Sequence, residues 1–138
     1  MVFYHGNCQT DFEIDPLKRS RYGFPALFLT TSIDLARQYA LWHYRQTWAN
    51  GGGLVYQIKL EKVWFDVCEW GGCSSYTPDF RNKIQAWQKI GHAGLWIQNV
   101  SDTPQKKVYA PLLSDILVVY NVANIKSITL LESGITRL

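Results

Sequence analysis

Cysteine, charge and long apolar runs are all scarce in this chain. Three cysteines, an odd number at irregular spacing, provide no disulfide framework, so a reducing, cytoplasmic setting is expected. Cys68 and Cys73 with His92 make part of a metal-ligand set, but the spacing is unusual and no fourth ligand stands nearby, so no metal is expected. No apolar stretch approaches the length of a membrane span, which excludes a helical membrane protein. Residues 1–5 lack the charged, apolar and small-residue segments of a secretory signal, and Sec export is not expected. Charged residues make up 18% of the chain and leave a net charge of +3, too little to drive bulk nucleic-acid affinity. The cations form small clusters: Lys18, Arg19 and Arg21; Arg81, Lys83 and Lys89; Lys106 and Lys107. Each suits a solvated surface or a single phosphate contact.

Apolar residues are plentiful, at 47%, which excludes a disordered chain, and 138 residues can bury a core without covalent support. A single domain over residues 1–138 is expected. Residues 2–5 read as a short buried strand, residues 7–25 as a polar loop, and residues 26–30 as a second short strand. Thr31 or Ser32 then caps a helix, with Asp34 in its first turn, and the pattern Ile33, Ala36, Ala40, Tyr44 carries that helix to about Trp48. Residues 54–60 alternate as a half-buried strand, and residues 63–67 continue as another. A loop over 69–76, a helix over 80–90 ended by Gly91, and a strand over 95–98 after a Gly94 turn follow. Residues 100–111 read as polar loop, Asp115 opens the apolar strand 116–120, and a strand over 125–131 closes the chain. Short strands outnumber helices and many connections are too short for crossovers, which predicts a mostly antiparallel α+β fold rather than a doubly wound one.

The most suggestive residues are far apart. His5 and Gly6 end the first strand, Phe28 and Tyr39 stand eleven residues apart across the second strand and first helix, and Asp115 begins a late strand. Singly each has an ordinary structural reading, the histidine as a satisfied core residue and the aromatics as packing. In this order, together with the glycine turn at 89–95 and the ending Ile125-Lys126-Ser127-Ile128, they resemble the ADP-ribosyltransferase superfamily. The similarity is to its His-Tyr-acidic branch, with the diphtheria toxin and poly-ADP-ribose polymerase type of fold, and to its small phage and bacterial members.

The resemblance implies a split, mostly antiparallel sheet with a few helices. It also implies a transferase of the glycosyltransferase class that uses NAD as substrate and modifies a macromolecule, protein sooner than nucleic acid. A bacterial or phage effector, toxin or anti-defence protein is the implied context, acting in the cytoplasm of the producing or target cell. Cleavage of the nicotinamide–ribose bond develops an oxocarbenium-like cation, and the resemblance gives Asp115 the task of stabilising it. His5 would hold a ribose hydroxyl, the Gly6 backbone the nicotinamide amide, and Phe28 and Tyr39 the nicotinamide ring. Arg21 would pair with the pyrophosphate, and Thr30 would add a hydroxyl contact. Three departures stand out: Phe28 for tyrosine, Asp115 for glutamate, and Ala36 for serine. Glu69 and Glu132 are the acids that replace Asp115 if it lies elsewhere, and residues 99–111, with Lys106 and Lys107, are the expected seat of acceptor choice. A non-catalytic nucleotide- or protein-binding module on the same fold is the alternative, suggested by six Trp and eight Tyr, and NAD hydrolysis is a third reading.

Overall fold

A computed structural model describes residues 2–10, 20, 23–61 and 65–138. Among these residues seven strands, β1 (Val2–Asn7), β2 (Leu27–Thr30), β3 (Gly53–Leu60), β4 (Asp66–Glu69), β5 (Gly94–Asp102), β6 (Leu112–Val119) and β7 (Ile125–Ile135), form one mixed sheet in the order β4-β5-β6-β2-β1-β3-β7. Two α-helices accompany it among the described residues, α1 (Ile33–Thr47) and α2 (Pro78–Lys89). The class is α+β, and five of the six strand pairings are antiparallel. The exception is β4 with β5, a parallel pair that needs a crossover, which α2 provides.

Where a split was expected, a single sheet is found, but it thins at its middle. β1 and β2 share one residue pair, Tyr4↔Thr30, whereas β1 shares six with β3 and β2 four with β6. This seam follows from the connection: β2 and β3 both run antiparallel to β1, and α1 crosses above β1 to join them. The helix comes close because small residues line the contact. A Cβ on Gly6 would lie 1.9 Å from the Ala36 carbonyl oxygen, and one on Gly53 would lie 2.7 Å from that of Ala40. Ala36, Ala40 and Val55 are fully buried there.

Both faces of the sheet are packed. The helix side holds Leu35, Phe80, Ile84, Leu95, Ile97, Val100, Ile116 and Val118, while the opposite side holds Phe3, Leu27, Leu29, Tyr56, Ile58, Leu117 and Val119. A buried side chain of this size contributes about 1.5–3 kcal/mol, so this double core stabilises the sheet from both faces. α1 begins as expected, with the Ser32 hydroxyl accepting from the Leu35 N–H, and ends at Trp48, which is left-handed (φ 52°) before the glycine run is reached.

Several boundaries move. β5 continues four residues beyond Gln98 through a bulge at Asn99 (φ 55°), so residues 99–102 are strand rather than loop. Gly94 belongs to that strand, paired with Val119, and a Cβ there would strike the Phe65 ring at 2.3 Å. Asp115 lies in the interior of β6, since Leu112 and Leu113 already pair with Asp102 and Ser101. Glu69 ends β4 and β7 extends to Ile135; of the strand expected at 63–67, residues 63 and 64 lie outside the described residues. No helix among the described residues is long and apolar enough to cross a membrane.

Candidate functional site

The corner where β2 meets β6 is tied by hydroxyls. The Thr31 N–H donates to the Asp115 carbonyl (3.2 Å), the Asp115 N–H donates to the Thr31 hydroxyl (3.0 Å), and the Ser114 hydroxyl donates to the Asp115 carbonyl (2.9 Å). The Thr30 and Ser114 hydroxyls are hydrogen-bonded to each other, and Thr30 also accepts from the Ser32 N–H at 3.0 Å. Thr30 is buried, and these partners tie it to the Asp115 strand.

With its backbone fixed, Asp115 holds its half-buried carboxylate against β5. The Trp96 indole N–H donates to Oδ2 at 2.9 Å and the Asn99 backbone N–H to Oδ1 at 3.0 Å. The bulge at Asn99 is what turns that N–H toward Asp115. The Asn99 side chain reaches the other way, its Nδ2 donating to both Glu69 oxygens (2.8 and 3.0 Å), while the Gly71 N–H donates to Glu69 Oε1 (2.9 Å). Glu69, a candidate replacement for Asp115, therefore stands one residue away from it through Asn99. Glu132 does not: Arg37 binds it through Nε, at 3.1 and 2.9 Å, and Arg37 Nη1 also meets Asp34 at 2.7 Å. That guanidinium holds the Glu132 carboxyl below the usual carboxylate range.

Across β2 from Asp115 lies His5, whose Nδ1 is 3.0 Å from the Phe28 carbonyl oxygen. A carbonyl only accepts, so Nδ1 donates and carries the proton. This bond spans the thin seam between β1 and β2. Strand alternation puts His5, Leu29, Leu117 and Asp115 on the face away from the helices, and Gly6, Phe28, Thr30 and Ser114 on the helix face. Extending the register from Tyr4↔Thr30 and Leu29↔Leu117 separates the His5 and Asp115 Cα atoms by about 12 Å.

Tyr39 and Phe28 each pack on the helix face against the same core cluster, the face opposite Asp115. The Tyr39 hydroxyl donates to Asp102 Oδ2 (2.7 Å), and the Ser75 hydroxyl donates to Asp102 Oδ1 (2.5 Å). Gly6 has a structural use in admitting α1, and Ala36, which departs from the expected serine, is fully buried beneath that same contact. Arg21, expected at the pyrophosphate, lies outside the described residues, as do Lys18 and Arg19. Among the described residues no three His, Cys, Asp or Glu side chains converge as metal ligands, and burial pushes the Cys68 thiol up, away from the thiolate form. Lys106 rests over the Tyr76 ring, 4.7 Å from its centroid, and Lys107 is exposed.

Trp96, Asn99 and Asp102 did not stand out in the sequence. Trp96 shares a face with Asp115 only through the register of β5 against β6. Comparison with protein-family models, curated proteins and solved structures finds no match.

Proposed function

We propose that this chain is a small NAD-dependent ADP-ribosyltransferase. The observation that carries the reading is the placement of His5 and Asp115 on one face of the sheet, flanking β2 at its thin seam, with the Asp115 carboxylate half-exposed and oriented by two N–H donors. An extended dinucleotide suits that span. His5 would hold a ribose hydroxyl at one end. At the other, Asp115 would face the ribose joined to nicotinamide. The C–N bond breaks with its electron pair leaving on nicotinamide, and the cation left on the ribose is stabilised by a carboxylate already in position. An acceptor nucleophile on a macromolecule, a protein sooner than a nucleic acid, then takes the ADP-ribose. Phe28 and Tyr39, expected at the nicotinamide ring, pack on the opposite, helix face of the sheet, so no ring contact is routed through them.

A second reading, a non-catalytic binding module, draws on exposed aromatic surface, including Trp48 at 69% exposure. Incubation with NAD labelled on the adenosine side and a bacterial lysate separates the possibilities. Label in protein supports the transferase. Release of nicotinamide with no label in protein or nucleic acid makes it an NAD glycohydrolase. Unconsumed NAD with a raised melting temperature makes it a binding module.

A further inference from the structure

Trp96 is the residue that joins the two ends of the proposed site. Its ring meets Phe3 of β1 edge-on, with centroids 5.4 Å apart and planes at 77°, and its indole N–H holds Asp115 Oδ2 on β6 at 2.9 Å. β1 and β5 are not neighbours: β2 and β6 lie between them. The indole therefore extends over that stretch of the face, where Leu29 and Leu117 form the layer beneath it. We infer that Trp96 is a positioning residue for Asp115, fixing the carboxylate plane from the strand next door and forming the floor between Asp115 and the His5 strand. This rests on the transferase reading for its catalytic consequence, but not for its geometry.

The physical case is the pairing of donors. A carboxylate on a short aspartate side chain rotates about its last torsion unless both oxygens are held. Here each oxygen takes one N–H, from Trp96 and from Asn99, and each keeps a further lone pair that can accept from a ribose hydroxyl. The Asn99 donor is main chain and set by the bulge. The Trp96 donor is a side chain anchored by Phe3, and so it is the half of the clamp that a substitution removes.

Two measurements on the full chain test it. In proton–nitrogen spectra without NAD, the Trp96 indole signal, identified by its loss in Trp96→Phe, should move by several tenths of a ppm in Asp115→Ala while the other five indole signals stay. An unmoved Trp96 signal overturns the inference. In nicotinamide-release kinetics, Trp96→Phe should lower kcat about tenfold with KM for NAD changed less than threefold, and adding it to Asp115→Ala should cost nothing more. Unchanged kcat, or a full further loss in the double variant, overturns it. If Trp96→Phe fails to fold, replacement of Trp96 by benzothienylalanine, an isostere lacking the N–H, is held to the same outcomes. A wild-type chain that releases no nicotinamide defeats the transferase reading, and the indole signal then still decides the clamp.

Discussion

Asp102 and Asp115 lie on the two strands of one hairpin, β5 and β6, in opposite surroundings. Asp102 is 4% exposed and faces the helix layer, where its oxygens accept hydroxyls from two separate elements, Tyr39 of α1 and Ser75 of the loop before α2. Asp115 is half-buried on the other face, and its oxygens accept N–H groups that both come from β5. The first carboxylate ties parts of the fold together and is sealed by doing so. The second is held rigid by its own sheet and left partly open. Stability should depend on Asp102 and chemistry on Asp115.

The largest expected stability effect is at the helix seat that closes the Asp102 side. Gly6→Ala drives a Cβ into the Ala36 carbonyl, a rigid backbone atom, and should cost about 3 kcal/mol or more in denaturant unfolding. A loss below about 1 kcal/mol would mean that α1 is not seated on β1 as described. Next, Asp102→Ala strands the Tyr39 and Ser75 hydroxyls in the interior and should cost about 2 kcal/mol, whereas Asp115→Ala should cost less than about 1. A reversed order breaks the comparison. Tyr39→Phe keeps the ring and deletes one hydrogen bond, so a cost of about 1 kcal/mol with unchanged NAD-induced stabilisation is expected, read by thermal unfolding with and without NAD.

The smallest effect is the surface pair. Arg37 and Glu132 are about one-third exposed, and Glu132→Gln should cost about 0.5 kcal/mol near neutral pH. Because the folded-state pKa of Glu132 is lowered, that stabilisation is complete above the ordinary glutamate value, near 4.3, and is lost as pH falls through the lower folded value. Unfolding curves of wild type and variant should therefore converge in acid. A gap that persists there would assign the cost to something other than charge.

The start of α1 and the existence of β3 were legible because their signals are local, Thr31 or Ser32 before an apolar period and a β-rich run over 54–60. The Thr77 cap of α2 was not read, and Leu54, Val55 and Tyr56 are all buried because both faces of the sheet are covered there. The far half of β5 was not, since Asn99, Ser101 and Asp102 look like loop residues. Asp102 is buried because its partner Tyr39 lies 63 residues away, and Asn99 is strand because a bulge accommodates it. Asp115 was legible as a residue of interest but not as an interior strand position. Its neighbours Leu112 and Leu113 pair with the same polar stretch that had read as loop. The clamp from Trp96 depends on strand register, which no local pattern specifies. The division of the expected site between two sheet faces follows from strand alternation and register, and the order β6-β2-β1 that brings these strands together was hidden too.

The central claim is that a carboxylate held by β5 lowers the barrier to breaking the nicotinamide–ribose bond. The direct measurement is nicotinamide release at saturating NAD by wild type and Asp115→Asn, with NAD affinity measured in parallel by calorimetry. The expected result is a kcat reduced about a hundredfold or more, with affinity changed less than about threefold, because the charge is wanted mainly in the transition state. Equal turnover by the two proteins would contradict it and remove Asp115 from the chemistry.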